Sequence, residues 1–220
     1  MMLPIPVAVL GGTGKEGKGL AARWSRAGLE VVLGSRDAAR AEAAAAEVRE
    51  LSGGRVTGAA NAEAAARGGL AVLATPYDGV APTVEACREA LAGKLVVSAV
   101  IPLRFDDRGP TVERVDEGSA AELVARLLPD SRVGAAFHAI SAPLLLDLDH
   151  GLDEDVPVAA DAAADRAVIV ELCGALGARG VEVGPLRLAR YLEGFTAVLL
   201  SLNRLRKARA GLRFTGLPGA

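Results

Sequence analysis

Three glycines near the start of the chain, Gly12, Gly14 and Gly17, have the spacing that binds a nucleotide pyrophosphate. They follow a short apolar strand, 7–10, and precede a run that is compatible with a helix. In this pattern the first glycine permits a tight turn, the second lets phosphates approach the backbone, and the third lets helix and strand pack closely. The intervening residues are Thr13, Lys15 and Glu16. The pattern predicts a dinucleotide site, and a turn that serves packing alone is the alternative.

The end of the second predicted strand indicates which dinucleotide binds. Sites for NAD have an Asp or Glu about 20 residues after the glycine turn, where it accepts hydrogen bonds from the ribose 2'-hydroxyl. This chain has Ser35 and Arg36 there, and Arg40 falls in the first turn of the next helix if Asp37 caps that helix. A hydroxyl and two guanidinium groups suit a 2'-phosphate, so the sequence predicts NADP. The alternative is that both arginines lie on a solvated helix face.

Residues that follow the other predicted strands include few acids or bases. Ligands on an open parallel sheet bind at the carboxyl ends of the strands, here segments 75–77, 98–102 and 138–142. These segments hold Tyr77 and His138 but no Ser-His-Asp arrangement, carboxylate pair or metal-ligand spacing. Hydride transfer needs positioning more than proton transfer, so the set favours an oxidoreductase. Tyr77 either stacks on a cofactor ring or packs in the core, and His138 either binds a ring carbonyl or is satisfied locally.

The elements that must position these residues alternate between strand and helix along the chain. Near-continuous apolar runs such as 70–74 and 94–101 are typical of parallel strands covered by helices on both faces. Parallel strands joined by crossover helices make a layered sheet. The predicted class is therefore α/β, a Rossmann-type doubly wound parallel sheet with a small C-terminal α/β subdomain.

The predicted domain boundary lies near residue 145, which gives a nucleotide-binding part, 1–145, and a smaller part, 146–220. The charged segment 103–118 carries glycine and proline and is predicted to be an exposed loop. A strand over 133–140 and a final helix over 186–209 are also expected.

Composition limits the possible partners. With 25 basic and 27 acidic residues among 220, the net charge of -2 gives no electrostatic reason to expect nucleic acid or an anionic membrane. Glycine, proline or charge interrupts the apolar runs, so no segment is expected to cross a bilayer and the protein is expected to be cytoplasmic. Cys87 and Cys173 lie far apart in predicted helices, where we expect buried side chains and neither a disulfide nor metal ligands.

Several motifs together resemble one enzyme family. In chain order they are GGTGKEGKGLA, VVLGSRDAARA, SAVIPL, FHAISA, VPVAAD and the C-terminal VEVGPLRLARYLEGFTAVLLSLNR, followed by GLRF. Over nearly the whole chain they are similar to the NADPH-dependent reductases of the deazaflavin coenzyme F420. The C-terminal motif is the most specific, because other NADP proteins share the glycine turn and the Ser-Arg pair.

The resemblance implies an activity and a set of cofactor contacts. The activity is reversible hydride transfer between nicotinamide C4 of NADP and C5 of the 8-hydroxy-5-deazaflavin. Such enzymes are typically homodimers, and the apolar face of 196–202 would serve that interface. The implied contacts to the NADP end are residues 13–16, Ser35, Arg36 and Arg40, and those to the nicotinamide are Tyr77, Ile101 and Ala142. The implied contacts to the deazaflavin are Ser98, His138, Ile140 and Ala210.

Two other functions stay open at this point. The GSR and FHAISA motifs also resemble the cytosolic domains of membrane reductases that pass electrons from NADPH through flavin to ferric iron. A non-catalytic NADP sensor is the second possibility, because a binding fold does not establish turnover. Small residues near the expected nicotinamide leave room for a second planar ring and favour an enzyme; they are Ala99, Ala139 and Ala142.

Overall fold

The computed structural model describes residue 3 and residues 6–217, and strands alternate with helices as predicted. The strands are β1 Val7–Leu10, β2 Val31–Ser35, β3 Val56–Ala60, β4 Leu70–Leu73, β5 Leu95–Ser98, β6 Leu103–Asp106, β7 Gly109–Val112, β8 Arg132–Ala135, β9 Asp155–Ala160 and β10 Arg179–Gly184. The helices are α1 Lys15–Arg26, α2 Ala38–Ser52, α3 Asn61–Arg67, α4 Val80–Leu91, α5 Ala120–Leu127, α6 Ala142–Leu146, α7 Ala163–Leu176 and α8 Ala189–Arg206. Short 3-10 turns cover Tyr77–Gly79 and Leu186–Leu188.

Eight of the strands form one sheet, in the order β10-β9-β8-β5-β4-β1-β2-β3. The six strands from β8 to β3 in this order are parallel, β9 is antiparallel to β8, and β10 is parallel to β9. Strand order reverses between β1 and β4, and ligands of such sheets bind at this switch point, beyond the carboxyl ends of the strands. The predicted α/β class, with a doubly wound and mostly parallel sheet, is confirmed.

Both faces of the central strands are buried, which explains their continuous apolar sequences. Along β1, Val7 packs into the same core as Trp24 of α1, whereas the next residue, Ala8, packs into the opposite core with Val84 of α4. Because side chains alternate between the faces of a strand, each central strand contributes to both cores. The sheet is therefore a rigid base for the segments that leave its edge.

The segment 103–118 is exposed, but it is not the irregular loop that the sequence predicts, because it begins with an antiparallel hairpin of β6 and β7. The Asp106 carboxylate accepts hydrogen bonds from the backbone amides of Arg108 and Gly109, at 2.8 and 3.1 Å. Gly109 adopts a φ of 128°, which favours glycine. Phe105 on this hairpin is 70% exposed. The Asp and Gly of this turn were the sequence signal for the hairpin.

Two predicted elements are shorter in the structure. The strand expected over 133–140 ends at Ala135, because Phe137 adopts a φ of 74° that an extended strand cannot contain. The helix expected over 186–209 starts as a 3-10 turn and ends before Lys207, which adopts a left-handed φ of 51°. No helix within the described residues combines the length and the apolar character needed to span a membrane.

Strands that follow the predicted boundary at residue 145 extend the same sheet, and the chain end returns to them. The backbone N–H of Asp155, at the start of β9, donates to the carbonyl of Leu212 at 2.7 Å. The Asp155 carboxylate accepts two hydrogen bonds from Arg179, at 2.7 and 2.6 Å, and one from the amide of Phe214 at 2.6 Å. Chiefly because of the bond from Arg179, the pKa of Asp155 lies below its usual value. The division into two domains stays a prediction.

Arg23 of α1 connects the part of the structure that precedes residue 145 to this later part. Its side chain is buried, and among the described residues its guanidinium group donates only to backbone carbonyls. The acceptors are the carbonyls of Leu144, Leu145, Asp147, His150 and Leu176, at 2.7 to 3.4 Å. Carbonyls at helix ends lack partners within the helix, so Arg23 satisfies groups of α6 and α7 that would otherwise be unpaired.

We expect Arg23→Met to lower the free energy of unfolding by about 3 kcal/mol, because buried carbonyls lose their hydrogen bonds. Urea unfolding of the wild type and the variant measures the difference. Arg26→Ala is the matched control: Arg26 lies on the same helix, is exposed, and pairs with the exposed Asp149 at 3.4 Å. The control should lose less than about 1 kcal/mol. Equal losses in the two variants would contradict the role given to Arg23.

Candidate functional site

A cleft of about 730 Å³ lies at the sheet edge where the parallel strands end. Its lining follows the carboxyl ends of β1 to β5, as expected for a ligand site at a switch point. The predicted site residues that line it are Thr13, Gly14, Lys15, Glu16, Gly17, Ser35, Arg36, Arg40, Tyr77 and Ile101. The structure therefore brings together the residues of the glycine turn, the second strand end and two later strand ends.

The glycine turn has the geometry that each glycine position predicts. A Cβ on Gly17 would lie 2.4 Å from the Cα of Gly12, so α1 can approach the turn only if residue 17 has no side chain. Gly12 does not line the cleft; its amide donates to the Gly34 carbonyl at 3.0 Å and ties the turn to β2. A Cβ on Gly14 would meet no atom within 4 Å, which leaves the backbone open toward the cleft.

The first turn of α1 presents unsatisfied amides at this open position. Gly14 is the N-cap of the helix and supplies no side-chain hydrogen bond to it. The first amides of a helix have no partner inside the helix, and together with the helix dipole they form an anion site. A pyrophosphate supplies the negative oxygens that these amides require.

Gly11 and Asn61 support the turn, and the sequence analysis did not predict either of them. Gly11 adopts a φ of 67°, and a Cβ there would lie 2.2 Å from Thr75 Cγ2. Its amide donates to Asn61 Oδ1 at 3.1 Å, and Asn61 is buried at the start of α3. Asn61 follows β3 directly, so the rule that selected residues at the other strand ends would have found it. Thr75 lines the cleft, and its Oγ1 is buried without a partner among the described residues.

The second strand end carries two guanidinium groups that make no ion pair with any residue the structure describes. Asp37 caps α2, as predicted: its carboxylate accepts hydrogen bonds from the amides of Ala39 and Arg40, at 2.8 and 3.3 Å. The Asp37 carboxylate is therefore engaged with the backbone, and the side chains of Arg36 and Arg40 are exposed along the cleft. Ser35 is the last residue of β2 and nearly buried. This end of the cleft can hold a phosphate.

The environment of two groups in the cleft lining, Glu16 and Tyr77, disfavours their charged forms. Glu16 lies in the first turn of α1, and although part of the residue stays exposed, removal of its carboxyl from water raises its pKa to about 8. Burial, with help from nearby carboxylates, also raises the pKa of Tyr77 above its usual value. Neither group is paired with a second acid or base in the way that hydrolytic catalysis requires.

Besides Gly12, five predicted site residues lie outside the lining of this cleft: Ser98, His138, Ile140, Ala142 and Ala210. Ser98 ends β5 and is fully buried, and its Oγ accepts a hydrogen bond from the Val100 amide at 3.4 Å. Ile140 is buried in the loop after β8, and Ala142 begins α6. Because β8 is the next strand beyond β5, these residues lie toward the same edge of the sheet.

The loop after β8 holds His138 in a fixed place. Phe137 contacts Trp24 edge to face, with ring centroids 5.6 Å apart and an interplanar angle of 78°. The hydroxyl of Thr196 on α8 donates to the His138 carbonyl at 2.6 Å. The imidazole is buried, both of its nitrogens lack a partner within the described residues, and burial lowers its pKa to about 4. His138 is therefore neutral near pH 7 and keeps one donor and one acceptor free.

Ala210 lies in the segment that follows α8. Its amide donates to Asn203 Oδ1 at 2.6 Å, which turns the chain back after the helix. The next residue, Gly211, approaches Glu154 so closely that a Cβ would lie 2.3 Å from Oε2. The GLRF motif thus fixes the path of the chain end against the start of β9.

Glu193 on α8 is a buried acid that has structural partners. Its two carboxylate oxygens accept hydrogen bonds from the amides of Ala120 and Ala121, at 3.0 and 3.1 Å, so it caps α5 from a distant part of the chain. Burial raises its pKa to about 7. The carboxylate of Glu193 is therefore hydrogen-bonded to the start of α5, outside the cleft described above, and Glu193 is not a candidate cofactor-binding residue.

Comparisons with known proteins agree with this geometry. Residues 6–102 match the family described as NADP oxidoreductase, coenzyme F420-dependent. The F420-dependent NADP reductase of Methanothermobacter marburgensis is 41% identical, over 96% of this chain and 99% of that protein. The reductase of the same name from Methanocaldococcus jannaschii is 33% identical, over 96% and 98%. The resemblance drawn from the sequence motifs is confirmed.

A solved structure from Arthrobacter sp. FB24, which bears an F420-dependent NADP-reductase description, superposes with a TM-score of 0.80. It is 29% identical, and the match covers 92% of this chain and 95% of that one. Because nearly the full length of both chains is included, the likeness extends beyond the glycine turn to β9, β10 and α8.

Two glycine variants separate folding from binding at the turn. Gly17→Ala should lower the free energy of unfolding by about 2 kcal/mol, because the new methyl group meets the Gly12 backbone. Gly14→Ala should leave stability within about 1 kcal/mol and weaken NADPH binding at least tenfold, because its methyl group occupies the open side of the turn. Urea unfolding and fluorescence titration with NADPH measure the two effects.

Gly174→Ala is the control for these variants, since Gly174 lies on α7, away from the cleft, where a Cβ would meet no atom within 4 Å. It should change neither stability by more than about 1 kcal/mol nor NADPH affinity. If Gly14→Ala bound NADPH as tightly as the wild type, the phosphates would not approach the turn at residue 14.

Proposed function

The chain belongs to the F420-dependent NADP reductase family, and from this premise we propose that it transfers hydride reversibly between NADP(H) bound in the cleft and the deazaflavin coenzyme F420. The proposal is carried by one observation: a single cleft contains an open helix N-terminus at Gly14 and two arginines, Arg36 and Arg40, that form no ion pair with any residue described in the structure. A pyrophosphate and a 2'-phosphate on one ligand would satisfy both.

The cleft fits NADP residue by residue. Amides from Thr13 to Glu16 would bind the pyrophosphate, and Ser35, Arg36 and Arg40 would bind the 2'-phosphate. The orphaned Thr75 hydroxyl is a further hydrogen-bonding group in the wall. Tyr77 and Ile101 line the same cleft and would contact the nicotinamide, together with Ala142 at the start of α6.

The second cofactor would bind against the segment after β8 and the chain end. His138 supports this placement, because its buried nitrogens find no partner in the described part of the chain and a ring carbonyl or ring N–H would satisfy one of them. Ser98, Ile140 and Ala210 would complete this wall. F420 supplies the carbon that exchanges hydride with nicotinamide C4, so the protein itself needs no nucleophile.

The contribution of the protein to this reaction is positioning. Hydride transfer requires two carbon atoms in close contact, and holding two reactants in that geometry removes much of the entropic barrier. Neutral His138 can orient a ring by a hydrogen bond, and its low pKa prevents it from acting as an acid near pH 7. Ala99, near the end of β5 in the cleft wall, leaves space for stacked rings.

We also propose that the enzyme is a homodimer that forms through α8. Four large apolar side chains of this helix are exposed: Tyr191 at 64%, Val198 at 63%, Leu202 at 40% and Leu205 at 76%. Their spacing of seven, four and three residues places them on one face of the helix. This face continues the 196–202 face expected from the resemblance. The predicted division into 1–145 and 146–220 and the cytoplasmic location remain parts of the proposal.

The test is to mix the protein with NADPH and oxidised F420 and to follow the visible absorption of F420. We expect the band to disappear at a rate proportional to enzyme concentration, and to return when excess NADP is added to the reduced coenzyme. Equal rates with FMN would favour a flavin reductase that could serve ferric iron. Tight NADPH binding without reduction of either acceptor would favour an NADP sensor.

Arg36→Ala combined with Arg40→Ala should raise the KM for NADPH about a hundredfold, because charged hydrogen bonds to the 2'-phosphate are lost. The KM for NADH, which lacks that phosphate, should change less than about threefold. Steady-state rates with both nucleotides measure the difference. Arg88→Ala, on the exposed side of α4, is the control and should leave both values unchanged. Equal losses with NADPH and NADH would contradict the assignment of the phosphate site.

A further inference from the structure

Residues 194–220 carry an excess of positive charge. They include no Asp or Glu, and Arg204, Arg206, Lys207 and Arg209 lie close together in them; we call these four residues the basic segment. The whole chain has a net charge of -2, so this stretch differs strongly in charge from the rest. Such an asymmetry is typical of a surface that binds a negatively charged partner.

The four side chains of the basic segment are exposed, and none of them forms an ion pair with a residue that the structure describes. The acidic residues at the start of β9 do not neutralise them, because these acids have other partners. Asp153 pairs with Arg213, and Asp155 pairs with Arg179 at 2.6 Å. The basic segment therefore keeps its charge available for an anion from outside the protein.

The dipole of α8 explains only part of the basic segment. Arg204 and Arg206 lie in the last turn of the helix, where cations are stabilised by the partial negative charge of the helix end. This effect falls off beyond the last turn. Lys207 already has a left-handed φ of 51°, and Arg209 lies in the chain that turns back after the helix. The cations thus continue past the point where the helix itself favours them.

The basic segment lies toward the edge of the sheet where the second cofactor is expected. β9 runs antiparallel to β8, so the start of β9 lies beyond the carboxyl end of β8, on the side from which the His138 loop leaves the sheet. The chain is tied to this start of β9, where the Asp155 amide donates to the Leu212 carbonyl at 2.7 Å. Just before this tie, the Ala210 amide donates to Asn203 Oδ1 at 2.6 Å. These two contacts fix the path of the chain on both sides of Arg209.

α8 also connects the basic segment to His138. The Thr196 hydroxyl on this helix donates to the His138 carbonyl, and Arg204 follows eight residues later, a rise of about 12 Å. Arg204 reaches the hairpin of β6 and β7, because a Cβ on Gly109 would lie 3.9 Å from its Nη1. Leu103, at the start of the same hairpin, lines the cleft. A ligand whose ring lies against His138 can therefore extend along α8 to the basic segment.

We propose that the basic segment binds the anionic tail of coenzyme F420. Beyond its ring and ribityl chain this coenzyme carries a phosphodiester and a chain of glutamates, and these groups are negatively charged near pH 7. Guanidinium groups bind phosphate and carboxylate oxygens through charge-assisted hydrogen bonds that are often bidentate. The assignment rests on the proposed function, which places the ring against the wall that contains His138. It adds the residues by which the enzyme distinguishes F420 from a deazaflavin without a tail.

Equilibrium binding of two deazaflavins to the whole protein, without nicotinamide nucleotide, tests the tail site. One ligand is F420, and the other is its tail-less form, an 8-hydroxy-5-deazaflavin that keeps the ribityl chain but lacks phosphate and glutamates. The fluorescence of each ligand reports its Kd. At low ionic strength we expect F420 to bind at least about tenfold more tightly than the tail-less form. In about 1 M salt, where the Debye length is about 3 Å, the difference should fall below about threefold.

A double variant, Arg206→Gln with Arg209→Gln, identifies the residues responsible. It should raise the Kd for F420 about tenfold and change the Kd for the tail-less form less than about twofold, because only the tail loses its contacts. In steady state the KM for F420 should rise by the same factor, with the KM for NADPH unchanged. The matched control is Arg55→Gln with Arg88→Gln, which removes the same charge from exposed positions before β3 and on α4. The control should leave all of these values unchanged.

Equal Kd values of the wild type for the two deazaflavins at low ionic strength would overturn the tail site, and this measurement requires no variant to fold. An equal loss of F420 affinity in both double variants would also overturn it, because overall charge would then be sufficient. A single-stranded oligonucleotide that needs Arg206 and Arg209 to bind, while F420 does not, would assign the segment to nucleic acid instead. If neither deazaflavin bound or accepted hydride, the proposed function would fail, which is a different result from tail-independent binding.

Discussion

The buried guanidinium group of Arg23 sets the arrangement on which the rest of the molecule depends. It is anchored in the helix that begins at the glycine turn, and it donates to carbonyls at the ends of α6 and α7. Five acceptors for one cation replace the water that burial removes, and helix C-termini carry partial negative charge that suits a cation. Any movement of α1, and so of the amides that face the cleft, must disturb the segment that follows His138. One side chain thus links the walls expected to hold two different cofactors.

Hydrogen-bond partners and burial also determine where charge lies around the cleft. The Asp37 carboxylate accepts hydrogen bonds from amides at the N-terminus of α2, so Arg36 and Arg40 can bind an anion. Burial keeps His138 neutral in the loop after β8, and it raises the pKa of Glu16 in the cleft lining. One end of the site is therefore strongly cationic while the expected reaction centre has little fixed charge. Such a centre suits hydride transfer, since no group near the reacting carbons competes for a proton.

How far the sequence predicts this site depends on the range of the interactions that build it. The glycine turn and the Asp37 cap involve residues close along the chain, so spacing alone identified their roles. Asn61 supports the turn from fifty residues away, and although its place at the end of β3 marks it as a candidate, its contact with Gly11 cannot be predicted from local spacing. The end of β8 was placed too late because the left-handed backbone of Phe137 is supported by contacts with Trp24 and, through its neighbour His138, with α8. Phenylalanine rarely adopts a left-handed backbone conformation, so the residue type at position 137 does not predict it.

The contrast between short-range and long-range interactions also distinguishes two parts of the site. One part is common to many dinucleotide-binding proteins, and the other is characteristic of this family. A turn of glycines and a helix end will bind the phosphates of any dinucleotide, so local sequence explains the NADP half of the site but says nothing of its partner. The other half is assembled from distant segments: Thr196 positions the carbonyl of His138, and Asp155 fixes the chain end at Phe214. Arg179 on the adjacent strand favours the ionised form of this carboxylate. The C-terminal motif is the most specific signal in the sequence because its residues must fit β9, β10 and the loop after β8 at once, and few sequences meet all three requirements.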